Sequence, residues 1–211
     1  MIKRALVKVV TQIRDIQLQA EVKHLVLGGA RSGKSAFAES MLLDWQKKSG
    51  GHVVYIATSN HRNDAEMLKR VEHHKSYRPV DWETVEEPIY LAKALKSVCL
   101  DLSQEQMIHN ESILDTPVAV IVDCLTLWML NIIEADCRKQ QTEQLLQTLK
   151  HLRCPVVLVS NEVGLGVVPM GKLSREFVDE IGRLHQAIAA QVEAVTFVTA
   201  GLPMSLKSPS K

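Results

Sequence analysis

Gly28-Gly29-Ala30-Arg31-Ser32-Gly33-Lys34-Ser35 fits the pattern G-x-x-x-x-G-K-[ST], a loop that wraps phosphate. Its chemistry follows from its residue types. Glycines let the backbone close round an anion without Cβ clashes. Lys34 would reach the β- and γ-phosphates, and the Ser35 hydroxyl would ligate Mg²⁺. A second candidate is Asp123, which ends the apolar run Val118-Ala119-Val120-Ile121-Val122. A carboxylate in that place holds Mg²⁺ directly or through water. The competing reading of Asp123 is an ordinary N-cap for a helix over 124–135. A third candidate is the pair His73-His74, with Lys75 and Arg78 beside it and Trp82 and Glu86 shortly after. Two adjacent histidines are by themselves a polar helix end. Zinc is disfavoured, because no Cys, Asp or His stands at metal-ligand spacing from them. The flanking positive charge suits a phosphate and keeps a nearby imidazole neutral, hence nucleophilic. A histidine attacking an α-phosphate would form a covalent nucleotidyl intermediate and split one displacement into two.

These groups need a scaffold, and the chain supplies one. The apolar run 22–27 predicts a strand feeding the loop, and 36–45 a helix leaving it. Such a helix N-terminus points free N–H groups at the anion. Ser49-Gly50-Gly51 is a helix stop. A buried strand is expected at 52–57, ending in the small polar residues Thr58-Ser59-Asn60. In open α/β sheets, ligands sit at that edge. A helix is expected over 63–75, a short strand over 80–85 and a helix over 88–100 with Pro88 in its first turn. Residues 101–117 read as a surface connection. The apolar stretch 124–133 suggests a buried helix or a subunit contact. A polar helix over 139–152, a strand over 155–160, a Gly-rich loop over 163–169, a helix over 173–194 and a last strand over 195–199 complete the pattern. Strands that are continuous apolar runs, alternating with helices, indicate an α/β fold: a P-loop NTPase-like, mostly parallel sheet with helices on both faces. Residues 22–211 read as a single P-loop domain. Residues 1–21, with a short strand candidate at 5–10, read as an N-terminal extension: an extra edge element, a frayed tail or a start placed too early.

Bulk properties narrow the partners. The 211 residues suffice for one α/β core. A net charge of +1 makes no electrostatic case for nucleic acid or a membrane surface. Aromatic residues make up 4%, too few for a base-stacking platform. No apolar run reaches the roughly 20 residues that span a bilayer. Cys99, Cys124, Cys137 and Cys154 form no C-x-x-C pair and are expected to be free buried thiols in a reducing cytoplasm. No secretory signal is visible, so the expected location is cytoplasmic.

Three P-loop chemistries compete: a regulatory GTPase or motor, a small-molecule kinase, and a nucleotidyltransferase. A regulatory GTPase needs Asn-Lys-x-Asp after a late strand. The strand at 155–160 is followed instead by Asn161-Glu162-Val163-Gly164. A plain P-loop kinase without a covalent intermediate is the alternative to a transferase that uses the histidine pair, and a non-enzymatic nucleotide switch ranks behind both.

The ordered blocks resemble those of the bifunctional adenosylcobinamide kinase / adenosylcobinamide-phosphate guanylyltransferase family of cobalamin biosynthesis. They are the 28–35 loop, Tyr55-Ile56-Ala57-Thr58-Ser59, His73-His74-Lys75 with Arg78-Pro79, Trp82-Glu83-Thr84-Val85-Glu86, and Val159-Ser160-Asn161-Glu162-Val163-Gly164-Leu165-Gly166-Val167-Val168-Pro169. The likeness runs from about His24 to Leu202. It implies two reactions. The γ-phosphate of ATP or GTP passes to the aminopropanol hydroxyl of adenosylcobinamide; GMP from GTP then passes through a histidine to the resulting phosphate, giving adenosyl-GDP-cobinamide. The guanylylated histidine of the family falls on His73. Its nucleotide-contacting positions fall on His74, Lys75, Ser76 and Tyr77, on Ala57, Thr58 and Ser59, and on Glu86 and Asp123. The resemblance also implies a homotrimer. Nothing in it corresponds to the residues before His24 or transfers onto 101–117.

Overall fold

The computed structural model describes residues 22–60, 79–101 and 117–209. The expected strand at 5–10, the helix at 63–75, the segment His73 to Arg78 and nearly all of the 101–117 connection lie outside the described residues.

Among the described residues, seven strands form one sheet: β1 Lys23–Gly28, β2 His52–Ala57, β3 Glu83–Glu86, β4 Val118–Asp123, β5 Val156–Asn161, β6 Ala194–Thr199 and β7 Leu202–Lys207. Their spatial order is β3-β2-β4-β5-β1-β6-β7. Every pairing is parallel except β6–β7, which is antiparallel. The helices are α1 Lys34–Ser49, α2 Leu91–Lys96, α3 Leu125–Glu134, α4 Arg138–His151 and α5 Lys172–Gln191.

The apolar strands are buried on both faces because successive side chains point to opposite sides. Leu25, Leu27, Val54, Ile56, Val120, Val122, Val156 and Leu158 face a core built with α2, α3, α4 and α5. Val26, Val53, Tyr55, Ala119, Ile121, Val157 and Val159 face the other side, covered by Ala38, Leu42 and Trp45 of α1 and by Trp82. The expected parallel sheet with helices on both faces is what forms. The apolar helix α3 is absorbed by this chain's own core: Leu125, Trp128, Met129 and Ile132 are fully buried.

Several expectations need correction. The strand expected at 80–85 is Glu83–Glu86. Residues 80–82 make a turn instead, with Trp82 N–H on the Pro79 carbonyl and the indole N–H on Gln46 Oε1 at 2.9 Å. The helix expected from Pro88 starts at Leu91. Glu87 Oε1 accepts the N–H groups of Ile89 and Tyr90 and holds Pro88 in a pre-helical turn. That helix ends in a π-helical turn, Ser97–Asp101. Strand β7 has no counterpart among the expected elements, since its side chains are largely exposed and leave no apolar run. Cys99 and Cys154 are joined in a disulfide rather than free; the chain brings their Cα atoms to 6.0 Å, within bridging range. Cys124 and Cys137 are free.

Candidate active site

The carboxyl ends of five neighbouring strands meet along one sheet edge. Register ties them in a row. Glu86 of β3 pairs with Ala57 of β2, Ala57 with Asp123 of β4, Asp123 with Val159 of β5, and Val159 with Val26 of β1. Two residues beyond Val26, Gly28 opens the phosphate loop. The described site candidates Gly28 to Ser35, Ala57 to Ser59, Glu86 and Asp123 therefore share one edge, although they lie far apart in sequence. His73, His74, Lys75, Ser76 and Tyr77 lie outside the described residues.

The loop is folded by its own backbone. Ser32 N–H donates to the Gly29 carbonyl at 3.2 Å, and Phe37 N–H to that of Gly33 at 2.9 Å. Gly33 is left-handed at φ 94°, as is Arg31 at 56°. Gly28 has no room for a side chain: an added Cβ would sit 2.4 Å from the Val198 carbonyl oxygen and 2.5 Å from Ser32 Oγ. The β6–β7 turn braces the loop through Gly201 N–H on the Ser32 carbonyl at 2.8 Å. Lys34 is buried, its ammonium folded back on the Gly29 carbonyl at 3.2 Å. Ser32 Oγ is buried without a hydrogen-bond partner among the described residues. A buried hydroxyl left unpaired is costly, and a phosphate oxygen in the loop would satisfy it.

Asp123 is not the N-cap of the helix after it. Cys124 holds that place and makes no side-chain cap bond. The Asp123 carboxylate instead accepts the Tyr55 hydroxyl at Oδ2 over 2.9 Å, which fixes its orientation. Thr58, fully buried, is tied down on three sides. Its Oγ1 donates to the Cys124 carbonyl and accepts the Cys124 N–H, and its carbonyl accepts Asn131 Nδ2. Burial, with Asp123 next to it, pushes the Cys124 thiol up to about 11. It stays protonated at neutral pH and is no nucleophile. The Ser35 hydroxyl and Asp123 carboxylate are hard oxygen donors of the kind Mg²⁺ takes. That ion is commonly held by one or two carboxylates together with substrate phosphates and water, so a short protein donor set fits it.

A buried polar cluster beside the loop escaped the sequence reading. Ser160 Oγ lies 2.7 Å from His185 Nε2 and 3.1 Å from Thr126 Oγ1. Asn161 N–H donates to Thr126 Oγ1 at 2.7 Å. Glu162 Oε2 stands 3.7 Å from His185 Nδ1. Burial holds the His185 pKa down, with Glu162 pulling the other way. A signal was present: Ile181, Leu184, His185 and Ile188 form the buried stripe of α5, and a histidine inside such a stripe needs a partner.

A family model described as cobinamide kinase / cobinamide phosphate guanyltransferase matches residues 24–206. The bifunctional adenosylcobalamin biosynthesis protein CobP of Pseudomonas aeruginosa is 45% identical over 189 residues, covering 88% of this chain and 98% of that protein. The corresponding CobU proteins of Escherichia coli K12 and Salmonella typhimurium LT2 are each 35% identical over 199 residues, covering 87% of this chain and 98% of theirs. Among solved structures, an ATPase domain superposes with a TM-score of 0.48 at 14% identity, over 93% of this chain and 82% of that one. The KaiC-like protein PH0186 of Pyrococcus horikoshii gives 0.43 at 13%, over 84% and 71%. The family match and the relatives cover nearly the whole described sheet, phosphate loop included: the chain is an enzyme of the cobinamide kinase / cobinamide phosphate guanyltransferase family.

Proposed function

We propose that this chain carries out two successive transfers on one cobinamide substrate. In the first, the aminopropanol hydroxyl of adenosylcobinamide attacks the γ-phosphorus of ATP or GTP, the β–γ bridging P–O bond breaks, and the diphosphate leaves. In the second, a neutral His73 nitrogen attacks the α-phosphorus of GTP and pyrophosphate departs. A phosphate oxygen of the phosphorylated cobinamide then attacks the same phosphorus. The P–N bond breaks, His73 is regenerated and adenosyl-GDP-cobinamide is released. The observation that carries this reading is the preformed phosphate loop, with Lys34 buried in it, at the same sheet edge as Asp123 in a chain of this family.

In this reading Gly28 to Ser35 cradle the triphosphate through backbone N–H groups and the Lys34 ammonium, which offsets charge on the transferring phosphoryl group. Ser35 and Asp123 would hold Mg²⁺, which when bound neutralises charge on the phosphate oxygens. Tyr55 keeps the Asp123 carboxylate aimed at the edge. Ala57, Thr58, Ser59, Glu86, His74, Lys75, Ser76 and Tyr77 would contact the nucleotide. The attack requires the His73 imidazole in its unprotonated form. The two reactions break different bonds of the triphosphate, so either the nucleotide shifts or the segment carrying His73 moves between them. A homotrimer is proposed on the family resemblance, and a cytoplasmic location on the sequence reading. Among the described residues, no helix is long and apolar enough to cross a membrane.

The test follows corrinoid products by mass. With adenosylcobinamide and ATP, a species heavier by one phosphate is expected; added GTP converts it to the GDP form. His73→Ala should stop at the phosphate. Loss of both steps in a folded His73→Ala protein would assign the histidine to phosphate binding. A wild-type enzyme that never passes the phosphate stage is a plain kinase.

A further inference from the structure

The end of β5 stands between the P-loop strand and the Asp123 strand. Side chains from two helices converge on it, Thr126 from the first turn of α3 and His185 from the inner stripe of α5. Thr126, Ser160 and His185 are all buried, so each hydrogen between them needs an acceptor.

Among the described residues, one assignment gives every hydroxyl hydrogen of the cluster an oxygen or nitrogen acceptor. Asn161 N–H can only donate, and it donates to Thr126 Oγ1 over 2.7 Å. Thr126 must send its own hydrogen elsewhere, and the oxygen within reach is Ser160 Oγ at 3.1 Å. The neighbouring Cys124 thiol is a weak acceptor by comparison. Ser160 then has its own hydrogen left, with His185 Nε2 at 2.7 Å. Nε2 must accept, and a neutral imidazole that accepts there carries its proton on Nδ1. Nδ1 faces Glu162 Oε2 at 3.7 Å, beyond a direct hydrogen bond but close enough for the carboxylate charge to favour that tautomer. The other carboxylate oxygen, Oε1, accepts Gly164 N–H at 2.6 Å, and Glu162 N–H donates to the Gly28 carbonyl at 3.0 Å. The chain of bonds thus begins at Asn161 and runs one way through two hydroxyls to the imidazole, whose Nδ1 side faces the Glu162 carboxylate beside the phosphate loop.

We propose that Thr126, Ser160, His185 and Glu162 form a one-way positioning relay that sets the β5 edge and the loop after it against the phosphate loop. None of the four is a catalytic residue here. Ser160 is fully buried and has no access to substrate. The relay is directional: a proton added at Nε2 would make Ser160 an acceptor there, turn its hydrogen toward Thr126 and leave the Thr126 hydroxyl without its acceptor. Burial, which holds His185 neutral, keeps a second proton off Nε2 at neutral pH. The proposal rests on the reading of this edge as the triphosphate site.

Two measurements on the full chain test it. The ¹⁵N shifts of the His185 ring, assigned by their loss in His185→Gln, should report a protonated Nδ1 and a bare Nε2 at pH 7. The opposite tautomer, or a doubly protonated ring, overturns the relay; it is read on the wild-type chain, with His185→Gln used only for assignment. In the phosphoryl-transfer assay, Thr126→Val and Ser160→Ala should each lower kcat/KM for nucleotide about tenfold or more. The double variant should be no worse than the worse single one, because links of one chain fail together. Thr126→Ser should restore near wild-type values. Losses that multiply, or a fully active Thr126→Val, overturn the proposal. Lys34→Ala separates the two readings: if it still binds and turns over nucleotide, the site is elsewhere; if it is inactive while Thr126→Val is unaffected, the relay alone fails.

Discussion

Strands β1 and β5 are neighbours and end at the same edge, yet their ends are built in different ways. The end of β1 is held by main chain: Ser32 on Gly29, Phe37 on Gly33, Gly201 on Ser32, with glycine required where Val198 approaches. The end of β5 is held by side chains from far along the chain, Thr126 lying 34 positions and His185 25 positions from Ser160. A main-chain anion loop must be continuous in sequence, so it leaves a motif. A side-chain network can be drawn from any element that packs nearby, so it leaves scattered polar residues in apolar stripes.

The largest effect expected on this contrast is chemical. Lys34→Ala removes the buried ammonium of the main-chain loop, and both transfers should fall by about 10²–10³-fold in kcat, measured by steady-state turnover. Next comes acid stability, through a second buried histidine. His24, at the start of β1, bonds Thr196 through Nε2, and burial lowers its pKa from 6.5 to about 4. The unfolded chain therefore binds a proton that the native state refuses. The stabilisation is complete above pH 6.5 and is lost as pH falls toward 4, amounting to roughly 3 kcal/mol at about 1.36 kcal/mol per unit. Denaturant titrations at several pH values should show that fall, and His24→Gln should flatten it. Gly28→Ala tests the main-chain loop sterically. The new methyl meets a carbonyl that cannot swing aside, and a loss of about 1–3 kcal/mol is expected in thermal melts. Tyr55→Phe is the smallest. Freeing the Asp123 carboxylate from its orienting hydroxyl should cost about 1.5 kcal/mol of transition-state stabilisation, near tenfold in kcat/KM, with the melting curve little changed.

The fold is legible in sequence where local pattern and tertiary role coincide. Continuous apolar runs became central parallel strands because both faces of the sheet are covered, and Gly50, left-handed at φ 66°, ends α1 where the Ser-Gly-Gly stop stands. It is not legible where tertiary context decides. Glu83–Glu86 is an exposed polar edge strand that exists because β2 offers it a pairing partner. Leu202–Lys207 forms β7 only through β6. Cys99 and Cys154 meet because a π-helical turn and the approach to β5 are brought together in space, across 55 positions. At the site, the loop, Asp123 and the Ala57–Ser59 edge were visible as residues in sequence. That Tyr55 orients Asp123, and that Thr126, Ser160 and His185 brace the next strand, depends on register and packing that no local pattern carries.

One phosphate cradle serving two different phosphorus atoms is tested by incubating the full chain with GTP labelled either at the α- or at the γ-phosphate, without corrinoid. The α-label should stay on the denatured protein in an acid-labile, base-stable phosphoramidate, be absent from His73→Ala and form more slowly in Lys34→Ala, by about a hundredfold or more, while the γ-label leaves with pyrophosphate. Retention of the γ-label, or α-labelling that persists in His73→Ala, would contradict it.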